Sequence, residues 1–144
     1  MNIKACAILS VLLSACVQDT GPPVSIVATK IMAPMPGSSA GVAYFTIENR
    51  SNESITVDRI ESPQYNDVQM HETIIDNGVS RMRPVKSFQV GPASSVEFSP
   101  GGKHVMLMKP STNLTTGSSV TLEIHYDTGL LIISAAMQDR LPDL

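Results

Sequence analysis

The stretch DVQMHETIIDNGVSRMRPV, residues 67–85, decides how this chain is read. Asn77-Gly78 stands between two arms rich in apolar and β-branched residues. Asn-Gly in that setting signals a two-residue hairpin, because both turn positions need a positive φ. The arms 67–75 and 79–85 are therefore expected to pair antiparallel. In that register paired residue numbers sum to 155, so His71 faces Pro84 and Met82 faces Thr73. Met82 then becomes the diagonal neighbour of His71 on one face, roughly 7–8 Å away at Cα. A slip of one residue would put the two on opposite faces.

The same signs recur on both sides of the hairpin. Residues 24–31, 41–48, 54–60, 88–90, 95–99, 103–108, 120–126 and 130–137 read as strands, with Pro- and Gly-rich turns at 33–39, 91–92 and 100–102. In 120–126, Val120, Leu122, Ile124 and Tyr126 alternate inward against Thr121, Glu123 and His125 outward. In 54–60, Ile55, Val57 and Arg59 fall on one face. The tail from Gln138 is expected to be loose. The expectation is about eight or nine short strands without a helix, hence an all-β sandwich or Greek-key barrel. Aromatic residues make up only 4% and Trp is absent, so Val, Ile, Leu and Met must fill the core.

The N-terminus reads as a targeting segment. Lys4 precedes an apolar run, residues 5–15, that is too short to cross a bilayer of about 30 Å and fits a signal-peptide core. The tetrapeptide Leu13-Ser14-Ala15-Cys16 resembles a bacterial lipobox, which makes Cys16 the lipidation site. The expected organisation is a signal peptide at 1–15, lipidated Cys16 and a linker at 16–23, a β-sandwich domain at 24–138 and a tail at 139–144. Val17 after the Cys leans towards the outer membrane. With Cys6 removed and Cys16 lipidated, the mature domain has no free thiol and no disulfide, which excludes thiol-redox and cysteine-protease chemistry. Net charge is −3 with no basic patch, so nucleic acid is not an expected partner. There is no nucleophile motif and no acid/base pair, so no enzymatic step is expected.

The chemistry concentrates at His71, Met82, His104 and Met106, two of only three His together with two thioethers. His104 and Met106 are i and i+2 on a strand and share a face; Met108 follows on that face as a candidate additional ligand. Thioether is a poor ligand for Zn²⁺, Mg²⁺ or Ca²⁺. Met with His suits copper, and Met selects Cu(I). A blue-copper centre would want a Cys thiolate, which is missing, so storage or transfer of copper fits better than electron transfer. His125 reads as a surface residue, Met32 and Met35 as packing or loop residues, and Arg81 and Arg83 as a solvated face.

The spacing H-x10-M-x21-H-x-M resembles the signature of the periplasmic copper chaperone family called PCuAC. Its flanks agree at Gly78-Val79, at residues 82–85 (MRPV) and at residues 100–108 (PGGKHVMLM). The likeness runs from about Gly41 to Ala136. It implies a cupredoxin-like β-sandwich binding one Cu(I) through His71, Met82, His104 and Met106; the protein is expected to be a monomer. It also implies delivery to the binuclear copper centre of cytochrome c oxidase, beside a thiol-bearing partner chaperone. The lipobox would place this in the bacterial cell envelope, facing the periplasm and tethered to membrane by the lipid. A copper buffer or resistance lipoprotein without a dedicated recipient is the alternative. The chain lacks the Met- and His-rich tail extension of some members.

Overall fold

Residues 21–140 are described by a computed structural model. The expected signal peptide, the expected lipidation site Cys16 and the last four residues lie outside them. Ten strands follow one another: β1 Val24–Met32, β2 Gly41–Asn49, β3 Ile55–Glu61, β4 Tyr65–Asp76, β5 Val79–Pro84, β6 Phe88–Val90, β7 Ser94–Phe98, β8 Lys103–Pro110, β9 Ser119–Tyr126 and β10 Gly129–Gln138. No helix occurs among the described residues. The count is ten where about eight or nine were expected, because every segment read as strand-like, down to Phe88–Val90, pairs as a strand.

The strands run in the order β5-β4-β8-β7-β2-β1-β10-β9-β3-β6. A short parallel pairing, Ile31↔Met137 and Met32↔Gln138, joins the β5-to-β1 half to the β10-to-β6 half. A register shift in β1 between Val27 and Lys30, with Ala28 at φ 55°, precedes this crossover. The halves fold over each other because each has one apolar face. Phe45, Ile47, Val105 and Leu107 from one half bury against Val57, Val90, Leu122 and Ile124 from the other. All three phenylalanines meet there. Phe45 stacks on Phe98 at 4.7 Å, and Phe88 meets Phe98 edge-on at 5.2 Å, an aromatic arrangement that adds to plain area burial.

The alternation read in residues 120–126 holds, with Val120, Leu122 and Ile124 fully buried. The reading of 54–60 needs correction. A register shift between Val57 and Arg59 reverses the pattern, so Ile60 enters the core and Arg59 faces solvent. A bulge of this kind inserts one residue and swaps the faces beyond it. Residues 138 and 139 are also better held than expected. Gln138 belongs to β10 and its carbonyl accepts from the Ala33 amide at 2.8 Å, while Asp139 is hydrogen-bonded by the Thr116 hydroxyl.

Candidate metal centre

The hairpin of β4 and β5 forms in the register that Asn77-Gly78 dictates. Both turn residues have positive φ, 50° and 79°, and the pairs include His71↔Pro84 and Thr73↔Met82. β5 is the edge of the sheet, and β4 pairs on its other side with β8, where His71 sits directly opposite His104 and Gln69 opposite Met106. Three neighbouring strands therefore turn His71, Met82, His104 and Met106 to one face. Val105 and Leu107, the alternate residues of β8, are fully buried on the other. The sandwich core thus fixes β8, and the pleat points its outer residues at the site.

The two imidazoles are held in complementary ways. His104 is buried, and its Nδ1–H donates to the Gly102 carbonyl at 3.0 Å. That carbonyl also accepts from the Thr73 amide at 3.1 Å, tying the 100–102 turn across to β4. Gly101 takes φ +80° in this turn, a conformation that strains any residue with a Cβ. Lys109 of β8 donates to Asp67 of β4 at 3.0 Å, and the Gln69 amide donates to the same carboxylate at 2.9 Å. The Gln69 carbonyl oxygen is thereby turned towards His71, whose Nε2–H it accepts at 3.0 Å. Each imidazole has spent one nitrogen on a neutral oxygen. The other nitrogens, His71 Nδ1 and His104 Nε2, are buried and have no hydrogen-bond partner. Leaving a buried polar atom unpaired costs about 1–3 kcal/mol; Ser25 Oγ and His125 Nε2 are unpaired as well, but here two such atoms sit on rings 5.9 Å apart, which makes them a candidate ligand pair. Burial pushes the pKa of His71 below the ordinary imidazole value, with His104 opposite adding to it, so the ring favours its neutral, ligating form.

Met82, His104 and Met106 line one cavity of about 250 Å³, with Thr73, Tyr44 and Arg140 also on its wall. His71 is not on that wall and joins the group through its ring contact with His104. Met82 is 53% exposed. Met108 lies on the same face, opposite Asp67, one step beyond Met106 and off the cavity wall. Neutral nitrogen and thioether donors without a carboxylate on the wall fit a soft monovalent ion and fit Zn²⁺ or Ca²⁺ poorly.

Asp67 and Gln69 escaped the reading of the sequence. The signal was there: they stand at i−4 and i−2 from His71, on its own face of β4. Outer partners of this kind fix the tautomer of a ligating imidazole. Met32 and Met35 do not join the cavity wall, and neither does His125, which lies on β9.

Structures already solved show what this architecture is. The copper-bound PCuAC domain from PmoF2 superposes with a TM-score of 0.67 at 21% identity, covering 83% of this chain and 95% of that one. The Cu(I) form of DR1885 from Deinococcus radiodurans superposes at 0.64 with 21% identity, covering 83% and 81%. The fold is that of a PCuAC domain, the cupredoxin-like sandwich that the motif's resemblance implied. Residues 24–131 match the family described as "Putative lipoprotein LpqE-like", and the chain belongs to that family. Among curated proteins it is 32% identical over 90 residues to the uncharacterized protein RP573 of Rickettsia prowazekii (62% of this chain, 50% of that protein). It is 29% identical over 94 residues to the putative lipoprotein Lxx21020 of Leifsonia xyli (65% and 57%). The chain thus spans about half the length of the curated relatives it matches.

Proposed function

We propose that this protein is a copper chaperone of the bacterial cell envelope that binds one Cu(I) through His71, Met82, His104 and Met106. The observation that carries the reading is the pair of orphaned nitrogens, His71 Nδ1 and His104 Nε2, buried beside two thioethers. Copper is cargo here, and no catalytic step is involved. Neutral ligands let the ion leave without a thiolate having to be reprotonated. The half-exposed Met82 on an edge strand supports hand-over more than sealed storage. Ile75 shares the Met82 face and is 79% exposed, which offers a recipient an apolar contact beside the ion. The binuclear copper centre of cytochrome c oxidase is the recipient that the motif's resemblance suggests, with a thiol-bearing chaperone as a further partner. Cys16 would carry the lipid that keeps the domain at a membrane surface.

X-ray absorption of the Cu(I)-loaded protein tests the ligand set. Two sulfur and two nitrogen neighbours are expected, and a shell of oxygen donors or of a single donor type would overturn it. Measured transfer of the ion to an apo-oxidase copper domain separates a chaperone from a buffer, which would release it only by dissociation.

A further inference from the structure

Arg140 follows β10 and lines the same cavity as Met82, His104 and Met106. Its place is fixed by its neighbours, since Gln138 is tied to Ala33 and Asp139 to Thr116. The side chain is partly buried and makes no hydrogen bond or ion pair among the described residues. Among the described residues no carboxylate lines the cavity, and Arg140 is the one formally charged side chain on its wall. A guanidinium so placed is at odds with a site that merely retains a cation. With Cu(I) on neutral ligands beside it, the wall formed by the described residues would hold two positive charges and no counter-charge, and in a partly dehydrated pocket that repulsion is strong. The cavity, about 250 Å³, also has room for more than the ion.

We propose that Arg140 makes this cavity a receptor for an incoming soft anionic ligand, a thiolate, during copper exchange. The inference rests on the Cu(I) reading above and adds to it the chemistry of the exchange partner. The step is a ligand substitution without redox change. A thiol loses its proton to water, its sulfur forms a bond to Cu(I), and the bond from Cu(I) to the exposed Met82 sulfur breaks. Arg140 does not bind the metal. It is a positioning residue that attracts the thiolate and balances the charge of the mixed complex, and its five donors suit an anion arriving from solvent. The thiolate can belong to a free low-molecular-weight thiol or to a cysteine of a protein partner.

The test compares the wild type with Arg140→Gln and Arg140→Lys, all loaded with Cu(I). Removal of the ion is followed by stopped flow with glutathione, with a folded protein presenting one surface cysteine, and with a neutral water-soluble phosphine. Arg140→Gln is expected to slow removal by thiolate about tenfold or more, the usual scale for losing a focusing charge. Removal by the phosphine should be unchanged, and Arg140→Lys should restore most of the thiolate rate. An effect confined to glutathione assigns the receptor to free thiols, and one confined to the protein cysteine assigns it to a partner. Equal thiolate rates in wild type and Arg140→Gln, or the same slowing with the phosphine, would overturn the proposal. If chloride strengthens Cu(I) binding in the wild type alone while thiolate rates match, the anion is a halide and the thiolate assignment falls. Failure of the wild type to bind Cu(I) in chelator competition would overturn the copper reading itself.

Discussion

Two regions of this sandwich carry histidines on strands with potential ligands two residues away; each leaves a buried ring nitrogen unpaired, and they differ in what surrounds it. On β4 and β8, His71 and His104 each give one N–H to a neutral oxygen and keep the other nitrogen buried and unpaired, next to thioethers. On β3 and β9, His125 lies among charges. Arg59 contacts its Nδ1 at 3.2 Å, and its Nε2, buried and without a hydrogen-bond partner, lies 3.0 Å from the Glu61 carboxylate. Glu61 pairs directly across from Glu123, and one ligand atom each of Glu61, Glu123 and His125 falls within 4.8 Å of the others. That trio would suit a harder cation, but Arg59 already sits against it at 3.6 Å from Glu61. The cleft beside it is the larger, about 500 Å³, and its wall carries Arg59, Glu61, Asp67 and Glu123 with no thioether. The two regions therefore differ in the donors around the ring, thioethers and neutral oxygens in one and carboxylates with a guanidinium in the other, and neither an unpaired ring nitrogen nor the size of the nearby cleft tells them apart.

Breaking the first region should have the largest effects. Met82→Leu or Met106→Leu should weaken Cu(I) binding by more than the roughly 10–100-fold typical of losing an outer-shell partner. Met82 is half exposed, so the melting temperature of its variant should barely move. Competition with a Cu(I) chelator measures the first effect and calorimetry the second. His104→Leu should abolish binding yet leave apo stability within about 1 kcal/mol, because the orphaned nitrogen disappears with the ring. A large loss of apo stability by chemical denaturation would mean that this nitrogen has a partner in solution.

Smaller effects sharpen the contrast. Gln69→Ala removes the acceptor that orients His71 and should lower Cu(I) affinity about tenfold; an unchanged value would show that the ring needs no outer support. The lowered pKa of His71 sets a pH dependence for the apo protein. Above about pH 6.5 both folded and unfolded chains hold this ring neutral. As pH falls below that, the unfolded chain binds the proton first, so stability declines until His71 protonates within the fold. His71→Gln should flatten that part of the denaturation profile. His125→Ala should leave Cu(I) affinity within about twofold, because the ring lies off the cavity wall. Any marked loss of copper there would erase the distinction between the two regions.

Much of this was legible in the residues. Asn77-Gly78 sets the hairpin and its register because few residues other than Asn and Gly tolerate φ > 0 at both turn positions. The period-two alternation in β8 and β9 sets which side chains face the core, because burial of one sheet face leaves no freedom to slip. Together they place His71 with Met82 and His104 with Met106 as two half-sites. Where a strand departs from regular alternation, as at Val57 to Arg59, the pattern misleads, since a bulge depends on pairing with a partner strand.

The joining of the half-sites was decided only by tertiary structure. That β4 lies beside β8, so that His71 stands opposite His104, follows from how two apolar sheet faces close over one core, and no local spacing encodes it. The same closure brings the β10 end against β1 and carries Arg140 to the cavity, 34 residues along the chain from Met106. The 67–85 stretch thus determines a hairpin with soft donors on one face, and the packed sandwich turns that hairpin into a site.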